Sequence, residues 1–181
     1  MGERGRIQIG SRPANQIFWW YFPHADQANK PLVVYFGGRL GGSSLLGLFK
    51  GLGPCLFKDG QMMENPYSWH KIANVLFVEN SLGTGMASGD IRNIPTDTLD
   101  IRDTFLQFFG KWFPLHQKIS PDHKNPNVIL SVSDEGALYL PFIADAAYSF
   151  DGNNEFGRKL DGIFIISSYV DPLTNMQSLL K

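Results

Sequence analysis

The first half of the chain alternates short β-type runs with turn clusters. Ile7 to Ile9, Ile17 to Phe22, Pro31 to Phe36 and Ala73 to Val78 read as strands, the third closed by Gly37-Gly38. Leu45 to Leu52 carries an apolar face but two glycines, so it predicts at most a short helix before Gly53-Pro54. From Thr96 to Phe113, the residues Leu99, Ile101, Phe105, Leu106, Phe108, Phe109, Trp112 and Phe113 recur largely at three- and four-residue spacing, and Pro114 follows. That spacing predicts a helix, with Phe105, Phe109 and Trp112 as its core stripe. Val128 to Ser131 reads as a buried strand, Glu135 to Tyr148 as a helix interrupted early by Pro141, and Leu160 to Ser167 as a final strand. A strand, helix, strand, helix, strand order implies an α/β protein with a mostly parallel sheet.

Length and charge narrow the function classes. At 181 residues, with no internal repeat and no linker-like tract, a single domain over 1–181 is the simplest reading. Sixteen Lys and Arg against 17 Asp and Glu give a net charge of −1, which offers no surplus for nucleic acid. The longest apolar stretches, Ile17 to Phe22 and Ile163 to Ile166, are far shorter than the roughly 20 residues of a membrane span. Charged residues are 18% of the chain, below the usual ~25%, while aromatics reach 13%. That balance favours a surface partly buried against another protein. One cysteine, Cys55, and no glycosylation sequon fit an intracellular setting, cytosolic or organellar. The first residues carry no apolar signal region, and a secretory or lysosomal route is expected only if Met1 is not the true start.

Metal and cofactor chemistry find little support. No pair among His24, His70, His116 and His123 has ligand spacing on one helix face, and Cys55 has no second ligand nearby, so these histidines are expected to be surface or structural residues. The glycine pairs 37–38 and 41–42 and Gly83-Thr-Gly85 lack the Lys-Ser/Thr of a phosphate loop. No cofactor and no metal are expected.

The strongest strand-to-helix turn is Leu130-Ser-Val-Ser-Asp-Glu-Gly-Ala137, where a nucleophile elbow would sit. Around it, Asn65-Pro-Tyr-Ser-Trp69, Ala73-Asn-Val-Leu-Phe77, Gly83-Thr-Gly85, Ser43-Ser-Leu-Leu-Gly-Leu-Phe49, Leu52-Gly-Pro54, Phe105-Leu106 with Phe108-Phe109, Tyr139-Leu-Pro141 and Asp171-Pro172 follow in one order. In these blocks the chain resembles the serine carboxypeptidases, an α/β-hydrolase family, from Ile7 to its C-terminus. The resemblance implies a sheet reduced to about the first six of eight strands.

It also implies a lost active site. The family's Gly-Glu-Ser-Tyr-Gly-Gly aligns with Val132 to Ala137, which puts Asp134 at the nucleophile position. The Asn-Gly-Gly-Pro-Gly-Cys-Ser-Ser block aligns with Gly37 to Ser44, which puts Arg39 and Glu135 at oxyanion positions and replaces the block's disulfide-forming Cys by Gly42. The positions that hold the substrate carboxylate become Gly37, Ser133 and Gly51. The triad Asp and His belong to strands beyond residue 181. Asp134 as an alternative nucleophile would need a histidine base, and none of the four falls where the fold brings one to an elbow.

The leading expectation is a catalytically inactive, carboxypeptidase-like structural or accessory subunit. Its open edge, Ile163, Phe164, Ile165 and Ile166, would be covered by other protein chains in a multi-subunit complex. The alternatives are a serine-type carboxypeptidase component completed by a second chain, and a pseudoenzyme that binds peptides without cleaving them, with Arg39 meeting an acidic group.

Overall fold

The computed structural model describes residues 2–37, 41–149, 159–168 and 170–179. Strands β1 (Glu3–Gln8), β2 (Gln16–Phe22) and β3 (Leu32–Tyr35) come first. Next are a single turn α1 (Leu45–Gly47), which runs into a π turn at Leu48–Leu52, and the hairpin β4 (Cys55–Lys58) and β5 (Gln61–Glu64). Then come β6 (Asn74–Val78), α2 (Thr98–Ile119), β7 (Val128–Ser133), α3 (Leu140–Ser149), β8 (Leu160–Ile166) and α4 (Pro172–Leu179). Six strands form one sheet in the order β1-β2-β6-β3-β7-β8. β6, β3, β7 and β8 run parallel, and β1 and β2 join antiparallel. The expected α/β class and the six-stranded sheet are both observed.

Strand alternation divides the core in two. Ile17, Trp19 and Tyr21 of β2, Leu32 and Val34 of β3, Leu76 and Val78 of β6, and Val128, Leu130 and Val132 of β7 face α2 and α3. There they meet Phe105, Phe108, Phe109, Trp112 and Ile143, with Trp19 and Trp112 edge to face at 6.4 Å. The opposite face, with Phe18, Phe22, Tyr35, Val75 and Phe77, packs against Leu45 and Leu48. Asp97 starts α2 as an N-cap, its side chain accepting from Asp100 N at 2.8 Å.

The structure corrects three readings. α2 does not stop before Pro114 but runs through it to Ile119. Proline clashes with the carbonyl four residues back and removes one hydrogen bond. Here that residue is Gly110, exposed and without a side chain, and packing of Leu115 and Ile119 against the core beyond the proline favours continuing the helix. The β4–β5 hairpin is additional, turning at Asp59-Gly60 with φ of 52° and 78°. Asp134 to Leu138 form a 3-10 turn, and the α-helix begins only at Leu140, with Pro141 in a first turn that needs no N–H partner.

Candidate functional site

The C-terminal ends of the parallel strands converge on one cleft of about 350 Å³, lined by Tyr35, Gly37, Ser43, Leu46, Gly47, Lys50, Ser133 and Asp134. This is where open α/β sheets place ligands. At the end of β7, Asp134 takes φ of 51°, a left-handed conformation that Asp tolerates better than most residues. The buried Gly136 and Ala137 then let the following turn lie close against the sheet.

The hydrogen bonds fix the direction of the protons. Ser133 Oγ donates to Asp134 Oδ2 at 2.9 Å, so the Tyr35 hydroxyl, 2.9 Å from Ser133 Oγ, is its donor. The chain Tyr35 to Ser133 to Asp134 thus ends on a carboxylate. Burial pushes the Tyr35 pKa up, against the lowering effect of the Ser133 bond, so Tyr35 stays a neutral donor at ordinary pH. Among the described residues, no histidine lines this cleft.

A buried scaffold holds the strand ends together. Glu79, fully buried just after β6, accepts from Ser43 Oγ at 2.6 Å and Ser44 N at 2.9 Å, and from Met86 N at 3.1 Å. Tyr139 donates to Gly37 O at 2.7 Å and accepts from Asn80 Nδ2 at 2.6 Å. Burial raises the Tyr139 pKa well above that of an ordinary phenol.

Of the residues singled out in the sequence, Gly37, Ser133 and Asp134 come together in the cleft. Glu135 is half-buried beside it, with Oε2 lacking a hydrogen-bond partner among the described residues. Gly51 is not among the lining residues, and its carbonyl accepts instead from Asn65 Nδ2 at 2.7 Å. Arg39 lies outside the described residues. The sequence reading missed Tyr35, Ser43, Lys50 and Glu79. A carboxylate directly after the buried run Asn74–Val78 was the available signal for Glu79.

The histidines do not enter the site. His116 and His123 are buried against each other, His24 contacts the Lys71 carbonyl, and His70 contacts Ser68. No group of three potential metal ligands exists among the described residues, and no described helix is long and apolar enough to cross a membrane.

An edge strand remains. Among the described residues β8 pairs only with β7, and Ile163 and Phe164 are half exposed while Ile165 and Ile166 pack partly against the two cores. Phe164 reaches across to Trp69, ring centroids 6.0 Å apart.

A mostly parallel sheet with an elbow at the end of its inner strand β7 defines an α/β-hydrolase fold. An esterase from Rhizomucor miehei shares it, with a TM-score of 0.53 and 15% identity over 94% of this chain and 46% of that one. The family model of serine carboxypeptidases matches residues 2–181, and the chain belongs to that family. It is similar to the pheromone-processing carboxypeptidase KEX1 of Tuber melanosporum, 29% identical over 97% of this chain and 28% of the relative. The crystal structure of Kex1(delta)p, a prohormone-processing carboxypeptidase from Saccharomyces cerevisiae, superposes with a TM-score of 0.82 at 26% identity. That match covers 99% of this chain and 41% of the other. The chain therefore spans under a third of the curated relative's length.

Proposed function

We propose that this chain is a catalytically inactive member of the serine carboxypeptidase family, acting as a structural or accessory subunit of a larger protein assembly. The observation that carries the reading is Asp134. It stands at the left-handed apex of the elbow, at the position that the resemblance to the family's Gly-Glu-Ser-Tyr-Gly-Gly motif assigns to the nucleophilic serine, and it accepts a hydrogen bond from Ser133 Oγ. A serine nucleophile gives its proton to a base, and a carboxylate nucleophile needs a base to activate the water that would release its ester; among the described residues no histidine lines the cleft to serve as either. The resemblance supports the same reading at the substrate-carboxylate positions, where it puts Gly37, Ser133 and Gly51. Strand β8, an apolar edge strand among the described residues and free of lysine and proline, supports a surface that further protein covers.

The test is isolation of the endogenous protein with whatever co-purifies, followed by native mass measurement and an assay on N-acylated dipeptides. We expect a fixed stoichiometric complex and no release of C-terminal amino acids. Turnover abolished by Asp134→Asn would overturn the reading. A second reading, a non-cleaving peptide binder, is supported by the persistence of the cleft itself, open and lined by hydroxyls, Lys50 and Asp134. The enzymatic alternative, a carboxypeptidase completed by a second chain, has the relatives' activity in its favour and the residue at 134 against it.

A further inference from the structure

At the end of the sheet opposite the cleft, three connections are fastened through two buried histidines. His123, 2% exposed, lies in the segment between α2 and β7, and His116, 0% exposed, lies in the last turn of α2. His123 Nε2 is 2.8 Å from the carbonyl oxygen of Lys30, so that nitrogen carries a proton and donates it. His123 Nδ1 is then an acceptor, and His116 Nε2, 3.3 Å away, must donate to it. His116 Nδ1 is left with a bare lone pair, buried and without a partner among the described residues.

Asn74 shares the Lys30 carbonyl and ties in the start of β6. Its amide nitrogen donates to Gln27 O at 3.0 Å and Lys30 O at 3.1 Å, and its oxygen accepts from His24 N at 3.0 Å. Both amide protons are thereby committed, so its nitrogen, 3.4 Å from His123 Nε2, adds no bond there. The relay requires both rings to be neutral. A second proton on His123 either sets two donors face to face or drives the proton of His116 onto Nδ1, where no acceptor waits, and in both cases buries a charge.

We propose that the His116–His123 pair is a pH-sensitive latch that fastens the 120–127 segment to the loop before β3 and releases that end of the sheet on acidification. The groups facing the pair offer a proton little compensation. β2 presents Tyr21, whose ring lies 5.3 Å from that of His116, and α2 presents Trp112, stacked at 4.7 Å. Just before β8 stands Lys159, whose charge disfavours protonation of both rings and whose ammonium sits over Phe113. The loop before β3 presents Lys30 through its carbonyl, and Asp161, exposed, lines the same cleft as His123. Burial, with the neighbouring His123 and Lys159, brings His116 down to about 3, and burial likewise lowers His123.

The sign follows from linkage. A histidine held neutral in the closed state and returned to its ordinary value near 6.5 on opening binds its extra proton only in the open state. Closure is unaffected above that value and weakens as pH falls below it, down to the closed-state pKa. At pH 4.5, two units below the ordinary value, one such ring multiplies the open population about 100-fold.

The experiment is hydrogen exchange by mass spectrometry on the full chain between pH 7.5 and 4.5, corrected for intrinsic exchange rates. The opening constant of 116–127 and 24–32 is expected to rise about 100-fold or more, and that of 130–148 less than about threefold. Gln at 123 keeps the bond to the Lys30 carbonyl, and the bond from His116 where that histidine is present, without titrating, and Phe at 116 keeps the stack on Trp112. The double variant His116→Phe/His123→Gln should therefore respond less than about threefold, and His123→Gln alone less than the wild type. Equal loss of protection along the whole chain in the wild type overturns the latch. So does a folded variant of either kind that retains the wild-type response.

Discussion

The Glu79 carboxylate occupies the space that a side chain on Gly85 would need. A Cβ built on Gly85 collides with Glu79 Oε1, and Gly85 also has φ of 52°, which disfavours any residue with a Cβ. The glycine loop following β6 is thus shaped around a buried acid that bridges it to Ser43 and Ser44. Gly85→Ala is expected to lose about 2–3 kcal/mol in urea denaturation. Glu79→Gln, which turns one acceptor into a donor facing donors, should lose about 1–3 kcal/mol. A Gly85→Ala protein as stable as the wild type would show that the two elements are not coupled in this way.

Tyr139 makes a different prediction, because its hydroxyl both donates and accepts. Removing it in Tyr139→Phe leaves Gly37 O and Asn80 Nδ2 without that partner in a buried place. The expected loss is about 2 kcal/mol, with little change in fold, since the ring still packs near Phe36. Circular dichroism and a denaturant midpoint on the same sample separate these two effects.

What the sequence disclosed follows from burial. Ile17 to Phe22 is legible because β2 is covered on both faces, and α2 because its apolar stripe is wide. The hairpin at Cys55 to Glu64 escaped detection because it lies mostly exposed, so Met62 and Met63 do not alternate in polarity with Gln61 and Glu64. Its Asp59-Gly60 turn was the visible sign. Pro114 misled because local backbone rules gave way to packing further along the helix. At the candidate site, motif spacing located Gly37, Ser133 and Asp134, and Glu79 showed only as a carboxylate directly after a buried strand, whereas the His116–His123 pair depends on contacts with residues far apart in sequence, which no local pattern encodes.

Restoring serine at the elbow should not restore catalysis. Asp134→Ser supplies a hydroxyl, but among the described residues no histidine lines the cleft to take its proton. The variant is expected to fold, because serine also accepts from Ser133, and to release no amino acid from N-acylated dipeptides above the buffer rate. Measurable turnover by Asp134→Ser would mean that a base reaches the elbow from elsewhere, and would favour a carboxypeptidase completed by a second chain.

The edge strand gives the sharpest prediction for the isolated protein. β8 offers its outer backbone groups beside the half-exposed Ile163 and Phe164, with only Asp161 charged along its length. Such a strand templates pairing with another chain unless something covers it. Light scattering of the isolated chain should therefore show concentration-dependent association. A lysine at either exposed position, Ile163→Lys or Phe164→Lys, should suppress it by setting like charges against each other across any edge-to-edge pair. Because both side chains are only half-buried, the thermal midpoint should change little in the variants. The same substitutions should weaken recovery of the native complex, since a partner chain would use the same edge. If self-association falls and the complex survives intact, the partner docks elsewhere than on the β8 edge.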